Sequence, residues 1–306
     1  MARRHETAID YRERMVRVLR RLQEAAVAGE ATPGVDELAG IACFSRHHFS
    51  RLFSSMTGES VASHTRRLRL ERAAGELART DRQVLAIALA CGFETHESFA
   101  RAFKAHFGRT PTAFREGAST PIELLPAPNG VRYGPDDAAG RFVPLLQENP
   151  MVEVKIEQVP ARRVAAVRHV GPYHEIGSAF QRLCAWAGPR GVFGPATEIL
   201  GIYYDDPQQT EPAALRSDAC ATVPAGFEVG EGEGVSVVEL PAGEHAVGVF
   251  KGPYQRLAEV YQWLFGTWLP ESGRCPAESP CYEVYLNDPN QVAPEECLTA
   301  IHIPLA

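Results

Sequence analysis

Glu283 sits among aromatic residues in the run Pro280-Cys281-Tyr282-Glu283-Val284-Tyr285. An acid held between aromatic walls suits a flat, apolar cation, which gains both charge pairing and attraction to the ring faces. The competing reading makes the aromatics core and leaves Glu283 solvated at a sheet surface. A second group of residues suits nucleic acid. Arg46, His47, Ser50 and Arg51 are followed, about fifty residues on, by His96, Glu97, Ser98, Arg101 and Lys104. Arginine can pair bidentately with guanine, and serine or histidine can reach base edges or phosphates. For any one of them alone, a solvated helix face would look the same.

Other chemistry finds little footing. The chain has no Ser-His-Asp constellation, metal motif or phosphate-binding glycine loop, so no catalytic residue, metal or cofactor is expected. His169, His174, His245 and His302 are scattered and read as structural. Glu283 near Tyr203 or Tyr285 keeps one enzymatic alternative open, a general base beside a proton donor. The seven cysteines (43, 91, 184, 220, 275, 281 and 297) contain no CxxC and read as reduced, mostly buried thiols. Cys275, Cys281 and Cys297 could converge, but no His-Cys spacing of the zinc kind supports them.

Charge divides the chain. Its net charge is −7, yet residues 1–118 hold 19 Lys+Arg against 14 Asp+Glu, and the remainder is strongly acidic. A basic segment of this kind fits a polyanion-binding domain joined to something else. At 306 residues, 45% hydrophobic, the chain is comfortable for two soluble domains. No apolar run is long enough to span a bilayer, and the start of the chain is charged rather than a signal core. A cytoplasmic protein without a membrane partner is the expectation.

The elements that must position these residues fall into two textures. Residues 1–116 read as almost wholly helical, with Met15, Val18, Leu19 and Leu22 on one face of a first helix. Residues 117–150, rich in Pro, Gly, Asn and Asp, read as an irregular linker. Alternation such as Val152-Glu153-Val154-Lys155-Ile156 then opens a mixed domain over 151–306.

Each texture contains a repeat. Leu38-Ala39-Gly40-Ile41-Ala42-Cys43-Phe44 matches Ile87-Ala88-Leu89-Ala90-Cys91-Gly92-Phe93, each a short helix running into a turn. Phe49-Ser50-Arg51-Leu52-Phe53 and Phe99-Ala100-Arg101-Ala102-Phe103 then begin second helices, closed by Gly58 and Gly108. Residues 60–79 form a helix holding the two units apart. This is the layout of a double helix-turn-helix, whose second helices carry polar faces to the major groove while Phe44, Phe49, Phe53, Phe93, Phe99, Phe103 and Phe107 form core.

Ile87-Ala88, Cys91-Gly92-Phe93, Ser98-Phe99-Ala100-Arg101-Ala102-Phe103-Lys104, Phe107-Gly108-Arg109-Thr110-Pro111 and Phe114-Arg115 together resemble the AraC family of transcription activators, over residues 8–116. The resemblance implies a seven-helix domain reading double-stranded DNA in two successive major grooves. It implies contacts from His47, Ser50 and Arg51 in one helix and from His96, Glu97, Ser98 and Arg101 in the other. RNA polymerase is the further partner expected of such a regulator. His47 often gives way to a larger aromatic in similar proteins, which leaves base preference open.

The second repeat aligns Leu240-Pro241-Ala242 through Lys251-Gly252-Pro253-Tyr254 with Val159-Pro160-Ala161 through Val170-Gly171-Pro172-Tyr173, at a constant offset of 81 residues. Helices follow at 176–183 and 257–264, then Tyr203-Tyr204-Asp205-Asp206-Pro207 and Tyr285-Leu286-Asn287-Asp288-Pro289, then the closing strands 219–224 and 298–304. The reading is an α+β domain of two tandem strand-helix-strand-strand (SHS2-like) repeats sharing one mostly antiparallel sheet, with a cleft where the halves meet. The Gly-Pro-Tyr turns, the 282–289 run and Ile301-His302-Ile303-Pro304 resemble the GyrI-like effector-binding domain over residues 152–306. That resemblance implies a small-molecule effector, often a lipophilic cation contacted by an acid at the position of Glu283. More loosely, it implies pocket lining by Tyr173, Trp186, Tyr203, Trp263, Trp268 and Tyr285. The domain order is that of Rob-like regulators. Related stand-alone proteins bind gyrase or hydrolyse toxins, so a hydrolase or toxin-sequestering protein is the alternative to an effector-sensing transcription regulator; a protein-interaction module is a third reading.

Overall fold

A computed structural model of the chain describes residues 2–117, 142–230 and 232–306. Most of the expected linker, residues 118–141, lies outside them. The described residues fall into two compact units, one drawn from Ala8–Cys43 and Phe53–Leu145, the other from Met1–Thr7, Phe44–Leu52 and Leu146–Ala306.

The first of these units is helical. Its elements are drawn from α1 (Ala2–Ala28), α2 (Val35–Ala42), α3 (Arg46–Thr57), α4 (Val61–Arg79), α5 (Val84–Ala90), α6 (His96–Phe107) and α7 (Pro111–Glu116). Met15, Val18, Leu19 and Leu22 are buried along α1, as their spacing requires. Leu70, Leu77, Ile87, Phe99, Phe103 and Phe114 form the core around the second helix-turn-helix. Side-chain caps fix where its helices begin: Ser60 accepts from the Ser63 amide, Thr95 from Ser98 and Thr110 from Ala113. Each such cap contributes about 1 kcal/mol. Pro111 suits the first turn of α7, and Gly108, in the left-handed region, ends α6.

The other unit is built on one eight-stranded sheet in which every neighbouring pair is antiparallel. In chain order it runs β1 (Glu153–Val159), β2 (Arg162–Val170), α8 (Gly177–Ala187), β3 (Ile199–Tyr203), β4 (Arg216–Thr222), β5 (Ser236–Leu240), β6 (Gly243–Lys251), α9 (Leu257–Trp263), α10 (Leu269–Ser272), β7 (Cys281–Tyr285) and β8 (Leu298–Pro304). A π-helical turn, Leu264–Trp268, joins α9 to α10. The strand order β1-β6-β8-β7-β3-β4-β2-β5 places β3 against β7 at the centre. The strand that leads each half crosses to the other: β1 pairs with β6, and β5 with β2. Charged residues on β1 such as Glu153 and Glu157 are exposed at one edge, which discourages further strand pairing. Alternation sends Tyr203 to one core with Leu183 and Trp186, and Leu200 and Ile202 to another with Tyr282 and Val284. No described helix is long and apolar enough to cross a membrane.

Candidate functional site

The centre of the sheet positions the aromatic and acidic residues. Gly201 and Glu283 are direct partners across β3 and β7, with Tyr203 and Tyr285 two residues further along their own strands. The period of two puts all four on one face. The tyrosine rings lean back over Gly201, so that their hydroxyls meet at 2.7 Å. A Cβ on residue 201 would lie 2.8 Å from the Tyr285 hydroxyl and 2.9 Å from the Tyr203 ring, so glycine is required there.

The turns of the two halves add a second pair of tyrosines. Gly171 and Gly252 adopt positive φ, which lets each chain swing from β2 or β6 into its Gly-Pro-Tyr turn. Tyr173 then packs edge-on against Tyr203, with ring centres 4.9 Å apart, and Tyr254 against Tyr285 at 5.5 Å. Phe180 of α8 meets Tyr285 at 5.7 Å. The Tyr173 hydroxyl donates to the Asp205 carbonyl at 2.8 Å and accepts from the Asp205 amide at 3.0 Å.

Glu283 lies beneath this lattice, 4% exposed. Tyr285 donates to its Oε2 at 3.2 Å, so Tyr203 in turn donates to Tyr285. Burial pushes the Glu283 carboxyl up to about 7, while the hydroxyls of Tyr261 and Tyr285 and the charge of Arg51 act to lower it. Burial also raises the tyrosines, Tyr173 to about 12. The result is an acid that can hold or release a proton near neutrality, joined to a relay of hydroxyls and walled by rings.

Arg51 belongs to the same compact unit. Its Nη2 donates to the carbonyls of Tyr203 at 3.2 Å and Asp205 at 3.0 Å, and its guanidinium lies 5.0 Å from the centre of the Tyr261 ring. His48, one turn back, is fully buried, stacks on Phe265 and bonds the Ser279 carbonyl at 2.9 Å. Burial and the Arg51 charge push this imidazole down to about 3, so it is neutral.

Of the expected ligand-lining residues, Tyr173, Tyr203, Tyr285 and Glu283 come together. Trp186 shares the Tyr203 core but donates its indole N–H to Glu233 and packs against Phe227. Trp263 is buried on α9, and Trp268 half-buried on the π-helical turn. The ring that faces Arg51 is instead Tyr261, which, with Tyr254, Phe180 and Gly201, the sequence reading passed over. His245 and His302, expected to be scattered, meet at Tyr282, with ring centres 5.7 and 4.6 Å from it.

Of the expected DNA-contact residues, His96, Glu97, Arg101 and Lys104 are exposed on α6, and Ser98 is half-buried beside its capping threonine. Arg46 is exposed on α3; His47 and Ser50 are half-buried. Arg51, expected on an outward face, is only 8% exposed. Its bonds to β3 and to the residues after it take it off that face. Among the described residues no group of His, Cys, Asp or Glu is placed to hold a metal ion.

A family model described as the GyrI-like small molecule binding domain matches residues 152–306, and a helix-turn-helix domain model matches residues 38–117. The chain belongs to the GyrI-like family and carries a DNA-binding helix-turn-helix domain ahead of that small-molecule-binding domain. Similar curated proteins include a DNA gyrase inhibitor of Serratia proteamaculans, 40% identical over 141 residues, 44% of this chain and 87% of that one. A DNA gyrase inhibitor of Enterobacter lignolyticus is 34% identical over 142 residues, 46% of this chain and 89% of that one. Among solved structures, an EcmrR–DNA complex aligns with 19% identity and a TM-score of 0.42, covering 51% of this chain and 57% of that chain.

Proposed function

We propose that the protein is an effector-responsive transcription regulator of AraC type, with the Rob-like order of domains. In this reading Arg46, His47, Ser50, His96, Glu97, Ser98, Arg101 and Lys104 serve DNA, with RNA polymerase as the further partner, while Arg51, buried against Tyr203 and Asp205, does not. The SHS2-like halves form the sensor, and their meeting line at β3 and β7 is the effector site. The observation that carries it is the buried Glu283 inside a lattice of tyrosines, in a chain that also carries a DNA-binding domain. An acid walled by rings selects an aromatic cation over a neutral compound of the same shape. The test is tryptophan-fluorescence titration of the full chain with lipophilic aromatic cations and their neutral analogues, against Glu283→Gln. Saturable quenching by cations, weakened by the substitution, is the expected result. Equal response to charged and neutral compounds would remove Glu283 from the site.

One observation favours a second reading. Glu283 is hydrogen-bonded to Tyr285 and titrates near 7, the pairing a general base and proton donor would use. Turnover of a bound electrophile, abolished in Glu283→Gln, would make the domain a hydrolase; binding without turnover sustains the sensor.

A further inference from the structure

Arg51 and Arg101 hold equivalent positions in the two helix-turn-helix units, yet Arg101 is exposed and Arg51 is buried. Removing a guanidinium from water costs several kcal/mol unless the site supplies partners. The partners here include the Tyr203 and Asp205 carbonyls and the face of Tyr261, with the buried acid Asp206 and the Glu283 carboxyl near enough to act through their charge. An aromatic face, oriented carbonyls and acids are also what a planar organic cation requires. We propose that Arg51 is a built-in occupant of the Glu283 site, standing where the charged group of a planar, guanidinium-like effector binds, so that effector entry releases Arg51 and the first half of α3. The proposal rests on the reading of this site as the effector site and names its regulation. His48 is the second tie on the same face of α3, three residues from Arg51, and gives way with it.

A site closed by its own side chain shows an apparent affinity reduced by the fraction of time it is open. Removing Arg51 therefore tightens effector binding instead of weakening it, the opposite of what an ordinary lining residue does. The probe is phenylguanidinium, with phenylurea as its neutral counterpart, titrated into the full chain by calorimetry. Arg51→Ala and the better-packed Arg51→Gln are expected to bind phenylguanidinium at least tenfold more tightly than wild type, and Arg51→Gln with Glu283→Gln to lose that gain. In wild type, which needs no substitution to fold, saturating phenylguanidinium is expected to speed hydrogen exchange of residues 44–52. Binding that depends on Glu283 but is unchanged by either Arg51 substitution, or that leaves exchange at 44–52 unaltered, would overturn the occupant while leaving the effector site intact. Failure of every variant to bind would overturn both.

Discussion

Gly201 faces Glu283 directly across the central strand pair, and the two are equivalent positions of the internal repeat. One half supplies the acid and the other supplies the space in which two tyrosines meet. Gly201→Ala would put a Cβ within 3.0 Å of both hydroxyl-bearing rings, which are held by Tyr173 and Tyr254 behind them. Overpacking of this kind costs about 1–3 kcal/mol. Thermal unfolding is expected to show that loss, together with weakened cation binding. Unchanged binding would mean that the tyrosine pair has no part in the site.

Glu283 should also make stability depend on pH. Its folded-state value of about 7 lies above the ordinary 4.5, so the folded protein holds the proton more tightly than the unfolded chain. The contribution is full below about 4.5, falls as pH rises towards 7 and is flat beyond. It amounts to something on the order of 3 kcal/mol. His48, His64 and His302, all lowered by burial, act in the opposite direction, so the difference between wild type and Glu283→Gln isolates the acid. Urea unfolding at pH 5 and pH 8 is expected to show Glu283→Gln gaining stability relative to wild type at the higher pH. A constant difference would contradict the raised value.

On the DNA side, Arg101 and Lys104 are both exposed on the same helix but are expected to act differently. Arg101→Ala should cost about 1–3 kcal/mol on a specific duplex if the guanidinium reads a base, and little on unrelated sequence. Lys104→Ala should weaken both alike and lower the salt dependence by about one phosphate contact. Fluorescence anisotropy on the two duplexes, over a range of salt, separates the roles. Equal losses on both duplexes for Arg101→Ala would reassign it to the backbone.

Much of this is legible in the sequence. Hydrophobic period, Gly108 and Thr110-Pro111 marked the helices, because caps and turns act locally. The Gly-Pro-Tyr offset marked the doubled sheet, because each half repeats the same local solution. What the sequence did not reveal depends on long-range pairing. The crossed strands β1 and β5, the choice of Tyr261 over the tryptophans, and the meeting of His245 with His302 follow from register. The helix that carries Arg51 predicts an outward face for it; only the carbonyls of Tyr203 at the end of β3 and of Asp205 beyond it reverse that. Gly201 and Tyr254 lay within reach of the repeat, which pairs Gly201 with Glu283 and Tyr254 with Tyr173.

The two central tyrosines provide the last test, because they are hydrogen-bonded in series. Tyr285 donates to Glu283 at 3.2 Å, whereas the Tyr203 hydroxyl bonds the Tyr285 hydroxyl, at 2.7 Å. A donor to a carboxylate favours its charged form. Tyr285→Phe therefore removes a direct stabiliser of the anion and should push the Glu283 midpoint above 7, whereas Tyr203→Phe leaves the donor in place and should move it far less. Both substitutions strand or remove one buried hydroxyl, so their stability costs, about 1–3 kcal/mol, should be similar. Stability alone would not separate them. The infrared band of the protonated carboxyl, followed against pH and assigned by its loss in Glu283→Gln, reads the midpoint directly. An upward shift in Tyr285→Phe alone establishes the order of the relay; equal shifts in both would mean that the two hydroxyls act on the acid as one unit and not in series.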